Sequence, residues 1–234
     1  LENAVKQSNP GMITVSLRRQ GTSTTEAHSG FWDLLKKMAV PVLPNTAGCH
    51  SPKEVIATAQ MAREVFETNW IKLELIGDDY TLQPDTLRLV SVAETLIKDG
   101  FKVLPYCTED LILCQGLVDV GCQAVMPWAA PIGTGQGPLN PYALKLLRDR
   151  LKVPLLVDAG LGLPSHACSV MEWGFDGVLL NTAVALADDP VAMSKAFAAA
   201  VDAGRTAYLS GAMQAQQSAQ ASTPLVGTPF WHQS

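Results

Sequence analysis

Pro154-Leu155-Leu156-Val157 leads directly into Asp158-Ala159-Gly160-Leu161-Gly162, and Pro164 then opens a helical stretch that runs to Trp173. An apolar run, a glycine-bearing turn and a proline-started helix together make one strand–turn–helix unit. The unit recurs about every thirty residues, the length of a strand plus its crossover helix. Strands are expected at 12–17, 40–43, 71–75, 102–106, 123–126, 154–157 and 177–180. Helices are expected at 31–38, 52–66, 84–98, 109–118, 141–151, 164–173 and 190–203. Ser51-Pro52 and Asp189-Pro190 place a polar cap before a first-turn proline. Nearly continuous apolar strands alternating with helices predict a parallel sheet covered on both faces.

Residues 1–8 read as the end of a further helix, with Leu1, Ala4 and Val5 on one face and Asn9-Pro10 stopping it. A helix before the first strand implies a strand before that helix. The expectation is therefore an α/β fold, a (β/α)₈ TIM barrel over residues 1–210 whose first strand is absent from the chain. The rival is an open doubly wound sheet, but no G-x-G-x-x-G turn follows an early strand. Beyond Tyr208 the pattern breaks into Gln214-Ala-Gln-Gln-Ser-Ala-Gln-Ala-Ser-Thr223, so residues 211–234 are expected to form a polar C-terminal tail.

Composition narrows the function. Of 234 residues, 47% are hydrophobic and 17% charged, which excludes disorder for the bulk of the chain. Lys and Arg number 17 against 22 Asp and Glu, and this net charge of -5 leaves no footprint for nucleic acid. No apolar run approaches a membrane span. Five cysteines, Cys49, Cys107, Cys114, Cys122 and Cys168, show neither C-x-x-C nor zinc spacing, and they read as reduced thiols of a cytoplasmic protein. His28, His50, His166 and His232 have no metal spacing and read as loop or cap residues, so no metal site is expected.

In Ile71-Lys72-Leu73-Glu74-Leu75, alternation sends three apolar side chains to one face and Lys72 and Glu74 to the other. Helices cover a barrel's outer face, so the charged pair should point inward. Desolvation there lowers a lysine's pKa and favours the free amine that attacks a carbonyl, while Glu74 pulls the other way by stabilising the ammonium, an opposition that suits Glu74 as proton shuttle. The competing reading is an interior ion pair that only fills space. Asp158, at the end of its strand, is either a second acid/base or a helix N-cap. Tyr106, Cys107 and Asp110 could line the mouth, or else a helix capped at Thr108 accounts for this stretch.

Barrel active sites form at the C-terminal ends of strands, with phosphate commonly held by the last two loops. Counted with an opening strand, those loops are 158–162 and 181–183, and Pro131-Ile-Gly-Thr-Gly-Gln-Gly137 adds three glycines beside them. Each could be a plain turn, but three adjacent loops of this make point to a phosphorylated small molecule.

These segments, with Pro44-Asn-Thr-Ala-Gly48, Gly100-Phe-Lys-Val-Leu-Pro-Tyr106, Ala124-Val-Met-Pro127, Leu180-Asn-Thr-Ala183 and Asp188-Asp-Pro190, resemble the bacterial thiazole synthases of thiamine biosynthesis from about Thr14 to Tyr208. Leu161 replaces the usual isoleucine, a volume-conserving change. The resemblance implies a (β/α)₈ barrel that joins 1-deoxy-D-xylulose 5-phosphate, dehydroglycine and sulfur into a thiazole phosphate. The sulfur would arrive as a thiocarboxylate on a small ubiquitin-like carrier. It implies Lys72 as the Schiff-base lysine, Glu74 and Asp158 as acid/base carboxylates, and Gly133, Ala159, Gly160, Asn181 and Thr182 as phosphate and substrate contacts. It further implies a homo-oligomer, a tetramer, with the dehydroglycine-producing enzyme as another partner and no metal or redox cofactor. The alternatives are a class I aldolase or transaldolase acting on a sugar phosphate, and a barrel kept as a docking scaffold for the carrier.

Overall fold

The computed structural model describes residues 1–17 and 37–219. Helix α1 (Glu2–Ser8) ends at Asn9, whose φ of 44° is left-handed, and leads to β1 (Ile13–Ser16). There follow β2 (Val42–Asn45), α2 (Pro52–Phe66), β3 (Trp70–Leu73), α3 (Leu89–Lys98), β4 (Lys102–Cys107) and α4 (Leu111–Asp119). The order continues through β5 (Met126–Pro127), α5 (Pro141–Arg150), β6 (Leu156–Val157), α6 (Pro164–Glu172), β7 (Gly177–Val178), α7 (Thr182–Ala185) and α8 (Pro190–Ser210).

Local chemistry starts these helices where the sequence suggests. Ser51 and Glu54 form a reciprocal capping box ahead of Pro52. Asp189 accepts from the N–H groups of Val191 and Ala192, and Asn140 accepts from Ala143. Two helix boundaries differ from expectation by five residues or more, and the short α7 was not expected. Pro84 is held in an antiparallel bridge to Ile76, so α3 starts five residues later than expected, after Asp85 accepts from Arg88 N–H. Helix α8 continues past residue 203 to Ser210, with Gly211 as its C-cap. The helix expected at 31–38 falls, except for its last two residues, outside the described residues, as do His28, His232 and residues 220–234.

All strand pairings between neighbours are parallel. β1 to β5 form one sheet in sequential order, bridges Val125↔Leu155 and Trp128↔Asp158 join β5 to β6, and β6 pairs with β7. The result is a curved TIM-barrel-like arc of seven strands among the described residues. Each of the seven overlaps an expected strand.

The two faces of this arc carry different cores. Outward residues such as Ile71, Leu73, Val103, Val125, Leu155 and Val157 pack under the helices. Inward residues Leu43, Leu104, Ala124 and Met126, joined by Leu156 and Leu179, make a separate apolar layer. Alternation across each strand produces this split. Leu43 is inward, so Asn45 is too; Leu104 is inward, and so is Tyr106; Leu156 likewise predicts Asp158. The interior thus has an apolar floor and, at the C-terminal ends of the strands, a polar mouth.

Candidate active site

Lys72, Glu74 and Asp158 meet in this mouth, each 6% exposed. Lys72 Nζ lies 2.5 Å from Asp158 Oδ2 and 3.0 Å from Glu74 Oε1. The register Lys72↔Leu104 sets the lysine beside an inward position of β4, and the Trp128↔Asp158 bridge sets the acid on the same face across the arc. Glu74 is pinned at the end of β3 by Thr46, whose hydroxyl donates to Glu74 O at 2.7 Å and accepts from Glu74 N–H at 2.8 Å. Asp158 caps no helix, since α6 begins six residues later with Leu163 at its N-cap position. It is a buried partner of Lys72.

The electrostatics correct one expectation. Burial is the strongest single influence on Lys72 and pushes its pKa down, as the sequence reading supposed. The charges and hydrogen bonds of Asp158 and Glu74 together outweigh it, so Lys72 is held as an ammonium well above its ordinary value. The resting amine is charged rather than free. Burial, reinforced by the Glu74 charge, pushes the Asp158 carboxyl up against the pull of Lys72 and the Ala159 N–H. Asp158 therefore accepts a proton more readily than an ordinary carboxylate.

Tyr106 is fully buried, with its ring centroid 5.8 Å from Lys72 Nζ and 6.5 Å from the Trp128 ring, and it covers one side of the amine. Trp128 Nε1–H donates to Glu109 at the rim. Burial holds the Tyr106 hydroxyl well above its ordinary pKa. Cys107, also read as a mouth residue, instead faces outward into the helix-covered core, with its Sγ 3.7 Å from that of Cys114. Asp110 is the N-cap of α4, a place expected for Thr108, and accepts from Leu113 N–H.

Three loops, two of them glycine-bearing, converge. Gly137 N–H donates to Gly160 O at 2.8 Å, and Ala129 N–H donates to Ala159 O at 3.2 Å. A Cβ on Gly160 would meet the Ala130 backbone at 2.5 Å, and one on Gly133 would come within 4.0 Å of Thr182 Oγ1. Gly133, Ala159, Gly160 and Thr182, with Asn181 at the start of α7, are thus brought to one side of the mouth. Ala159, with φ of 67°, is a non-glycine residue in left-handed backbone directly after Asp158. Such conformations persist where surrounding structure enforces them, and they cluster at working sites. His166 is a first-turn residue whose Nδ1 accepts from Gly162 and Leu163 N–H, and it braces the same loop. A surface cleft lined by Arg148, Trp173 and Tyr208 lies at the opposite ends of the strands, beside Asp176 just ahead of β7, and is remote from this chemistry.

Sequence reasoning did not single out Ser16, Asn45 or Trp128 as site residues. All three sit at strand ends in register with inward positions, a signal that needs strand pairing to read. Among the described residues no helix is long and apolar enough to cross a membrane.

Residues 1–224 match the family described as thiazole biosynthesis protein ThiG. A thiazole synthase from Paracidovorax citrulli is 75% identical over 99% of this chain and 86% of its own length. One from Ralstonia pickettii is 69% identical over 99% of this chain and 85% of its own. Among solved structures, one titled as the Amycolatopsis orientalis BexX/CysO complex superimposes with a TM-score of 0.82 at 25% identity, covering 93% of this chain and 88% of the other.

Proposed function

The chain belongs to the ThiG family of thiazole synthases, enzymes of thiamine biosynthesis, and on that premise we propose that Lys72 forms a Schiff base with the ketone of 1-deoxy-D-xylulose 5-phosphate. The observation that carries this reading is the seating of a buried amine between two carboxylates at 2.5 and 3.0 Å, across a mouth bordered by two glycine loops and the Asn181-Thr182 turn. Lys72 first transfers its proton to Asp158, whose raised pKa suits it as acceptor. The neutral amine then adds to the ketone, and the resulting carbinolamine, protonated on its oxygen by Asp158, loses water to leave the imine. Glu74 moves protons during the later imine rearrangement. The carrier's thiocarboxylate supplies sulfur, and dehydroglycine supplies the nitrogen and two carbons before ring closure. Gly133, Ala159, Gly160, Asn181 and Thr182 hold the phosphate, so the reacting carbons stay near Lys72. Carboxylate proton transfer suffices for imine formation, and the reading needs no metal or redox group for it.

A small ubiquitin-like carrier is the protein partner in this reading, supported by the similarity to BexX, which was solved in complex with CysO. The dehydroglycine-producing enzyme is a second partner, the chain acts as a homo-oligomer, and its setting is the cytoplasm. An aldolase would also trap at a lysine, so the product decides: sulfur-dependent thiazole formation against carbon–carbon cleavage. The direct test incubates the protein with the ketose phosphate, reduces with borohydride and maps the adduct by mass spectrometry. The adduct belongs on the peptide carrying Lys72 and disappears in Lys72→Arg. An adduct on another lysine, or none, overturns the reading.

A further inference from the structure

Two buried side-chain atoms among the described residues have no hydrogen-bond partner: Asp158 Oδ2, which keeps only its ion pair with Lys72, and Ser16 Oγ. Buried polar atoms are nearly always satisfied, so an orphan in a working cavity marks a group that a ligand completes. Ser16 does not stand alone. The register Ser16↔Asn45↔Lys72 places it in one row with Asn45 and the amine across three adjacent strands. In-register residues of parallel strands share a face, and successive strands lie about 4.8 Å apart. Asn45 is nine-tenths buried. Its Oδ1 is committed to Ala47 N–H at 3.2 Å, and its amide NH2 makes no hydrogen bond among the described residues. The nearby Thr46 hydroxyl has no proton left to donate, since it already donates to Glu74 O and accepts from Glu74 N–H. The row therefore presents the amine, then two free donors on Asn45, then a hydroxyl on Ser16 that can donate and accept.

We infer that Ser16 and Asn45 form a ledge that recognises the vicinal hydroxyls of a 3,4-dihydroxy-2-ketone, and that this ledge selects the substrate at Lys72. The inference rests on the Schiff-base reading and names the part of the ketose that the amine and the phosphate loops leave uncontacted. The row Lys72–Asn45–Ser16 runs from the amine along the β1–β2 wall, so its free donors and hydroxyl stand beside a ketone bound at Lys72. A site built to bond a hydroxyl rejects the analogue that lacks it, because its own buried polar groups then go unpaired.

The test compares 1-deoxy-D-xylulose 5-phosphate with 4-oxopentyl phosphate, which has the same chain length, methyl ketone and phosphate but no hydroxyls. The readout is the concentration of each ketone that gives half-maximal borohydride trapping at Lys72. Wild type is expected to prefer the hydroxylated ketone by tenfold or more, on the order of what one or two buried hydrogen bonds contribute. Ser16→Ala and Asn45→Ala should each weaken trapping of the hydroxylated ketone by about tenfold relative to 4-oxopentyl phosphate. Continued trapping of 4-oxopentyl phosphate shows that each variant is folded. A wild type without preference, or variants that keep the wild-type ratio, overturns the ledge while leaving the lysine reading intact. Failure of both ketones to trap in wild type overturns the lysine reading, and the ledge with it.

Discussion

At Lys72 two carboxylates compete with burial, and the winner sets the pH behaviour of the site. Its pKa is raised on folding, so the stability it contributes is fully present below the ordinary value of 10.5 and is lost as pH climbs through the folded value. Neutralising one neighbour should let burial regain ground. In Glu74→Gln and Asp158→Asn, the pH at which Lys72 becomes reactive should fall by about one unit or more, read from the pH profile of adduct formation. Lys72→Met leaves two buried carboxylates without a cation and should cost about 3–5 kcal/mol of stability at pH 8. That deficit should shrink at pH 5 as Asp158, whose carboxyl burial already pushes up, takes up a proton, which denaturant unfolding at the two pH values would measure. The inward placement of Lys72 and Glu74 was legible from alternation in 71–75 alone. The charge on the amine was not, because Asp158 arrives from a distant strand and no spacing reveals a partner across a barrel.

At the scale of elements, helix-to-helix distance decides what a glycine tolerates. Gly204 in α8 lies against α6, where an added Cβ would sit 2.4 Å from the carbonyl oxygen of Cys168. Gly204→Ala gains about 0.5–1 kcal/mol of helix propensity, but an overpacked contact against backbone costs about 1–3 kcal/mol. The variant should therefore be less stable. Gly116 in α4 makes the opposite case, since its Cβ would meet Val90 Cγ2 at an ordinary 3.4 Å. Gly116→Ala should raise stability by about 0.5–1 kcal/mol, and urea melting of the pair checks both signs. Gly160 combines φ of 77° with a 2.5 Å approach to Ala130, so Gly160→Ala should lower stability and, on the proposed reading, raise the ketose phosphate concentration needed for half-maximal trapping at Lys72. Helix starts were legible wherever a polar cap precedes proline, as at Ser51-Pro52 and Asp189-Pro190. The late start of α3 was not, because it depends on the pairing of Pro84 with Ile76.

For the molecule as a whole, the repeated strand–helix period announced a parallel barrel-like sheet, and the split into outer and inner apolar clusters follows from it. Which polar residues share a row in the interior had to await the registers. Burial also distributes thiol reactivity. Cys49, Cys107, Cys114 and Cys122 are buried, with Cys107 raised well above its ordinary value and Cys122 pushed up to about 12, while Cys168 is only partly covered. A thiol reagent at pH 8 should label one cysteine of the five, Cys168, until the protein unfolds. It should do so slowly, because desolvation and the neighbouring Glu172 raise that thiol too. The layer formed by Leu43, Leu104, Ala124 and Met126 has a kinetic corollary. Among the described residues this layer fills the base of the interior and leaves the mouth at the C-terminal ends of the strands as the approach to Lys72. On the proposed reading the ketone that bonds Lys72 lies beneath whatever follows it, so turnover should be sequential, with that ketone the first to arrive and its heterocyclic product the last to depart.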